Sequence, residues 1–411
     1  MSASPLSGLK VLDLSKVLAG PLCAQYLGDM GAEVVKIETL DGGDETRHWP
    51  PFHSSADGAR TGTIFLAANR NKRSLALDLR SAAGREVVQR LADQADIVIE
   101  SFGPGVATKL GVDAATLRAR NPRLICASIS GYGSVGPMRE GKGYDLIAQA
   151  FCGMLALTGE PGGPPVRSPF SPVDQATGLH ALVGILALLH ERDRPFTGSG
   201  IGGVVEAALF DTATAFLAYF LQGYWQRGSE PERAGSGHES LCPYEAFDTA
   251  DKALILGVAN DGLWRSFCHI AELEALVDDP RFRTNADRVA HRAETVAMVR
   301  QALSQRGRDA WLSLLGAAGI PCSPLHSLGE LSAHPHSLAS GMLRSHDDAR
   351  LGPLRSVAQP LRFDGQRSAQ RRPPPAHGAD GRQVLLDAGY NDDDITALVE
   401  QGVVSAPTPW R

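Results

Sequence analysis

A chain of 411 residues exceeds what one compact core usually organises, which implies two domains; its formal charge of −6 gives no general pull toward nucleic acid or an anionic membrane. With 43% apolar and 21% charged residues it has the composition of a globular soluble protein, so any anionic ligand must be held by a local basic cluster. The start, Met1-Ser2-Ala3-Ser4-Pro5, lacks a signal-peptide layout, and no stretch is expected to approach the roughly 20 apolar residues of a membrane helix. Cys23, Cys126, Cys152, Cys242, Cys268 and Cys322 show no C-x-x-C spacing. They point to reduced thiols in the cytoplasm and to no metal site.

In chain order, residues 9–14 read as a strand, and Gly20-Pro21 opens a helix that stops near Gly31. Strands follow at 33–38 and 74–79, the first of them trailed by a Gly-, Asp- and Pro-rich loop over 41–62. Apolar spacing at Val87, Val88, Leu91, Ala92 and Ala95 predicts a helix, and 96–100 and 124–129 are further strands. Such alternation argues for an α/β fold with a parallel sheet, whose ligands dock at the carboxyl ends of the strands. Gly131-x-Gly133-x-x-Gly136 has dinucleotide spacing, but Pro137 stands where a helix should run, so NAD or FAD is not expected. The apolar stretch 179–189 reads as a buried helix, and 206–226 as a helical, aromatic stretch serving a core or a subunit interface. A polar, Gly-rich segment at 229–237 is a candidate linker or mobile loop. A second α/β unit then covers about 244–320, with a strand at 253–258 and helices around Trp264 and Glu294. The 371–375 stretch is extended, and a last short helix lies near 393–401.

Four places could carry chemistry. Asp174 precedes an apolar helix, where it reads either as an N-cap or as a carboxylate nucleophile, ionised at neutral pH and needing no general base. Asn69-Arg70-Asn71-Lys72-Arg73 is either a solvated charged loop or a phosphate clamp. Ser101-Phe102-Gly103, with Lys109 further on, directly follows a strand, where a parallel sheet places ligands. Tyr144 is an interface aromatic or a ligand-facing hydroxyl, and His238 is a lone loop histidine with no second histidine to suggest a metal.

Taken in order, Val17-Leu18-Ala19-Gly20-Pro21, Glu33-Val34-Val35-Lys36-Ile37-Glu38, Asn71-Lys72-Arg73-Ser74 and Glu100-Ser101-Phe102-Gly103-Pro104-Gly105 form a recognisable pattern. It continues through Gly143-Tyr144-Asp145-Leu146, Asp174 ahead of a helix containing Gly178, Gly237-His238 with Pro243-Tyr244, Asp279-Pro280-Arg281-Phe282 and Gly319-Ile320-Pro321-Cys322. The set, from about Leu9 to Asp364, resembles the class III CoA-transferase family, which includes formyl-CoA transferase, carnitine CoA-transferase and α-methylacyl-CoA racemase. The resemblance implies a large Rossmann-like domain without a dinucleotide, built from 1–200 and 330–411, a connecting helix over 201–228, and a smaller α/β domain over 229–329. It also implies an interlocked homodimer, no permanently bound cofactor, and coenzyme A or acyl-CoA as substrate. Asp174 takes the family's nucleophile position. CoA contacts are carried over to Val17, Leu18, Ala19, Asn71, Lys72, Arg73, Ser101, Phe102, Gly103, Lys109, Lys142 and Tyr144.

Three departures, Thr39, Ile64 and the string Gly235-Ser236-Gly237-His238 in place of a glycine run, argue against formyl or oxalyl transfer. That string is the candidate substrate loop, expected to cover the acylated intermediate. Tyr144 stands where the racemases carry a histidine, and a phenol with an ordinary pKa of about 10 suits reversible proton exchange poorly. The resemblance therefore implies transfer of CoA from an acyl-CoA such as succinyl-CoA to a small carboxylic acid. Relatives with similar strings use dicarboxylates such as malate, mesaconate, itaconate or glutarate. Racemisation and non-catalytic CoA binding are the alternatives.

Overall fold

The computed structural model describes residues 4–54, 58 and 60–405. Residues 1–3, at the head of the segment judged to lack a signal-peptide layout, lie outside them, as do 406–411 at the expected tail.

The first unit comprises residues 1–152, 168–219 and 336–411, and the second comprises 153–167 and 220–335. In the first, six strands form one parallel sheet: β1 (Lys10–Leu14), β2 (Glu33–Glu38), β3 (Lys72–Ala76), β4 (Ile97–Glu100), β5 (Ile125–Ser130) and β6 (Val204–Ala208), in the order β3-β2-β1-β4-β5-β6. The order reverses between β1 and β4, the arrangement of a doubly wound sheet with a crevice at that switch point. Alternate side chains divide between two cores, as the strand period requires. Leu12, Leu14, Val98 and Cys126 face one side with α2 (Ala82–Asp93). Val11, Ile97, Ile99 and Ile125 face the other with α1 (Ala19–Asp29) and the helix Pro172–Asp193. The C-terminal segment joins the first of these cores through Val384, Leu385, Ile395 and Leu398.

Two expectations change here. Residues 201–228 are not one connecting helix: Val204–Ala208 is the edge strand β6, because β-branched Val204 and Val205 pair in parallel with Cys126 and Ala127 before the chain turns helical at Leu209. The helix α4 (Pro172–Asp193), following α3 (Asp145–Phe151), is long and apolar enough to cross a membrane by length and composition. The sequence reading missed this by counting only the mostly apolar stretch 179–189, itself interrupted by His180 and Gly184. The side chains of Val173, Thr177, Ala181, Ile185 and Leu189 are buried, so α4 serves as a core helix of this unit.

Helix α4 crosses α1 at Gly178, where a Cβ would meet the Ala19 carbonyl oxygen at 2.4 Å. Backbone cannot yield as a flexible side chain can. Gly178→Ala is therefore expected to force the helices apart and cost about 1–3 kcal/mol, measured by urea unfolding.

The second unit holds a three-stranded antiparallel sheet, β9-β8-β7, made of β7 (Tyr244–Asp248), β8 (Ala253–Gly257) and β9 (Cys322–Pro324). Its core gathers Phe247, Leu254, Leu256, Trp264, Phe267, Phe282 and Trp311.

Candidate active site

Asp174 occupies the third position of α4, not the cap; Ser171 is the N-cap residue. The free N–H groups of the first turn are met from another helix. The Asp145 carboxylate, at the start of α3, accepts from the backbone N–H of Val173 at 2.8 Å and of Asp174 at 3.1 Å, and also from Gln149 Nε2. Asp145 is buried and spent on capping, which leaves the Asp174 carboxylate half-buried with no hydrogen bond among the described residues. Burial, and then the negative charge of Asp145, push its pKa up to about 7. A capping carboxylate has its charge stabilised, whereas this one is kept costly to ionise and therefore basic. Sequence reasoning quoted Asp145 only as part of a string; its place at the first turn of an apolar helix was the available signal.

Residues at the carboxyl end of the sheet assemble around the same helix. The turn after β1 carries Val17 at φ 70°, a left-handed conformation that a β-branched side chain rarely adopts. Lys16 N–H donates to Ser101 Oγ at 3.0 Å, joining this turn to the one after β4. Glu100 Oε2 accepts from Phe102 N–H at 2.7 Å and shapes that second turn. Ala19 abuts Gly178, one helical turn from Asp174, and exposed Tyr144 directly precedes Asp145. The structure thus brings Val17, Leu18, Ala19, Ser101, Phe102, Gly103 and Tyr144 to one end of the first unit with Asp174. Lys109 is exposed on the short helix Val106–Leu110 and Lys142 on the loop ahead of α3. A cavity of about 240 Å³ opens at the carboxyl ends of β1, β2 and β3, lined by Lys16, Thr39, Leu77, Leu79 and Phe102 among others.

Asn71, Lys72 and Arg73 do not join them. Lys72 begins β3 in register with Val34 near the start of β2, at the amino end of the sheet. Asn71 Nδ2 donates to Asp29 Oδ1 at 2.7 Å, Lys72 Nζ to Asp13 Oδ2 at 2.8 Å, and Arg73 Nη1 to Asp387 Oδ2 at 2.5 Å. A phosphate clamp made of these side chains is corrected: the first two are buried, and all three are spent on internal carboxylates. The exposed Arg80 follows Leu77 and Leu79, which line the carboxyl-end cavity. Its signal in the sequence was its place directly after the strand.

In the second unit, the loop Gly235 to His238, expected to be mobile, is tied down. Gly235 N–H donates to Gly159 O at 3.0 Å, Ser236 Oγ accepts from Ala246 N–H at 3.1 Å, and Gly237 N–H donates to Ala234 O at 2.7 Å. Arg292 Nη2 donates to the carbonyls of His238, Glu239 and Leu241 at 2.8, 3.0 and 3.1 Å. The His238 ring meets Tyr244 edge-on.

A profile described as CoA-transferase family III matches residues 6–381. The chain is 38% identical to a succinate–glutarate CoA-transferase of Agrobacterium fabrum, covering 93% of this chain and 95% of that protein. It is 33% identical to a human succinyl-CoA:glutarate CoA-transferase over 97% and 90% of the two. Among solved structures, a CAIB/BAIF family protein from Brucella suis superimposes with a TM-score of 0.82 at 35% identity, covering 94% of this chain and all of that one. A profile match over most of the chain, with relatives matched over nearly their whole length, settles the family. The chain belongs to CoA-transferase family III and is an enzyme with transferase activity.

Proposed function

We propose that this chain moves CoA from an acyl-CoA, succinyl-CoA foremost, to a small dicarboxylic acid through covalent intermediates on Asp174. The observation that carries this reading is the unbonded, half-buried Asp174 carboxylate, raised to about 7 beside the turns after β1 and β4. An Asp174 oxygen attacks the thioester carbonyl, the C–S bond breaks, and CoA leaves as thiolate with a mixed anhydride on Asp174. The thiolate then attacks the aspartyl carbonyl, releasing the donor acid and leaving an aspartyl-CoA thioester. The acceptor carboxylate attacks that thioester, and the freed thiolate attacks the acceptor carbonyl of the second anhydride. Asp174 is regenerated, and no proton is gained or lost overall. A carboxylate made more basic than usual is the better nucleophile once ionised. The dicarboxylate assignment draws on the names of the relatives; the carboxyl-end cavity is our candidate for the CoA site, with the exposed Arg80, next to its lining residue Leu79, as a candidate phosphate partner.

The homodimer is part of this proposal. Leu146, Ile147 and Phe151 on α3 and Leu179 and Val183 on α4 are exposed large apolar side chains, more than a free surface usually gathers, and a second copy would cover them. The six free cysteines accord with a reducing compartment, the cytoplasm being proposed. Incubation with succinyl-CoA followed by hydroxylamine or borohydride trapping, read by mass spectrometry, tests the mechanism. A modification on Asp174 is expected, and its absence with succinyl-CoA and other acyl donors would sink the covalent route.

The same geometry sets a pH dependence. The ionised carboxylate is the nucleophile, and with its pKa raised to about 7 the rate of enzyme acylation is expected to rise as pH climbs through that value. Asp145→Asn keeps an acceptor for the helix N–H groups but removes the charge. It is expected to move the midpoint down by about one unit. Single-turnover rates between about pH 5.5 and 8.5 check this; an unmoved midpoint would assign the raised pKa to burial alone.

A further inference from the structure

A second concave, cationic surface lies at the other end of the sheet, and the reaction above does not use it. A cavity of about 520 Å³ is bounded by the strand β10 (Leu343–Asp348) and residues 367–373. Arg371 fixes its position: Arg371 Nη2 donates to the carbonyls of Gly28 and Ala32 at 2.7 Å each, and Asn71 Oδ1 accepts from the backbone of Arg371 at 2.7 Å and of Arg372 at 2.9 Å. Those anchor residues precede β2 and β3, so the cavity sits at the amino ends of the strands, opposite the turns around Asp174.

Several arginines of this protein meet carboxylates, as in Arg47–Glu38, Arg70–Asp29 and Arg120–Asp93, but Arg344 and Arg367 in this lining do not. Here the Arg344 side chain is half-buried yet forms no hydrogen bond or ion pair among the described residues. Arg367 is aimed by backbone alone, through Nε to Ser340 O at 3.3 Å and Nη1 to Gln359 O at 2.8 Å. Burial and the positive charges of Arg362 and Arg344 depress the Arg367 guanidinium below its ordinary pKa. The two acids on the wall only partly offset this charge: Asp348 Oδ1 accepts from the backbone N–H groups of Arg350 and Leu351, at 3.0 and 2.6 Å, and the exposed Asp347 forms no ion pair among the described residues. Arg344, Arg367, Arg371 and Arg372 outnumber Asp347 and Asp348 on this wall, and guanidinium forks in a concavity match carboxylate and phosphate oxygens.

We propose that this cavity is a second, non-catalytic binding site for a small doubly charged oxyanion, with Arg344 and Arg367 as its principal contacts. A short dicarboxylate and inorganic phosphate share that chemistry. The test is calorimetric titration of the full-length protein with succinate and, separately, with inorganic phosphate, in the wild type, Arg344→Gln and Arg344→Lys. Arg344 has no partner to lose, so Arg344→Gln is expected to melt as the wild type does while binding one of the two anions about tenfold more weakly. Arg344→Lys is expected to recover part of that loss, and CoA transfer at saturating acid to stay unchanged. Affinities for both anions that are the same with and without Arg344 would overturn the proposal, as would failure of the wild type to bind either one outside the Asp174 site. A shift in oligomeric state on Arg344→Gln would also overturn it, by showing the cavity to be filled by a second copy. Preference for succinate over phosphate, or the reverse, identifies the ligand class.

Discussion

Asp174→Asn is expected to lower CoA transfer by roughly 10⁴-fold or more while leaving CoA binding largely intact. The amide keeps the shape of the side chain, and the turns around Val17 and Ser101 draw no hydrogen bond from it, so the loss would fall on the covalent step. The same substitution carries a signature in stability. Folding raises the Asp174 pKa from an ordinary carboxylate value to about 7, so the native state binds the proton more tightly than the unfolded chain. Stability from this group is therefore present in acid and declines as pH rises from about 4 through 7. The neutral amide carries no such penalty. Asp174→Asn should unfold at a higher temperature than the wild type near pH 8 and at a similar temperature near pH 4. Equal melting temperatures at both pH values would show that the Asp174 charge is well solvated and its pKa ordinary. Retained transfer would remove Asp174 from the chemistry.

The second large effect is expected at Asp13, in the interior of the first unit. Its carboxylate is fully buried at the carboxyl half of β1, where Lys72 Nζ donates to it at 2.8 Å and Lys36 Nζ lies 3.9 Å away. Burial opposes its ionisation, but the two lysines and the Ser15 hydroxyl outweigh that and hold its pKa below the ordinary value. On the other side of the balance, burial pulls Lys72 down to about 8 even with Asp13 beside it. Asp13→Ala would leave two buried ammonium groups short of a counter-charge, at a cost of about 3–5 kcal/mol. Adding Lys72→Met should restore much of that loss, because the pair would then be removed together. Urea unfolding of the two single variants and the double variant measures the coupling. Additive losses would show that the pair does not act as a unit.

The ionic cluster around Asp13 also explains what the sequence could and could not convey. Lys36 and Lys72 look in sequence like any surface lysines, and the Asn69 to Arg73 string reads as a charged loop or a phosphate clamp. Whether a lysine faces water, a phosphate or a buried aspartate depends on which strands lie side by side. The parallel pairing of β1, β2 and β3 places Asp13, Lys36 and Lys72 together. The segment Val204–Ala208 was likewise hidden, because its short valine pair becomes a strand only when the edge of β5 is there to receive it.

What the sequence determined by itself was local or patterned. Strand β2 falls at the residues expected, 33–38, because a short β-branched run just after Gly31 needs no partner to be read. The ordered strings around Val17, Ser101, Tyr144 and Asp174 pointed to the family, since they are read along the chain without knowledge of its packing. The tertiary structure decided how Asp174 is held. Only the packing of α3 against α4 lets Asp145, 29 residues earlier, cap the helix, and so leaves the Asp174 carboxylate unbonded, partly desolvated and beside a like charge. A pKa is a property of surroundings assembled from distant parts of the chain, and no spacing of residues along the sequence records it.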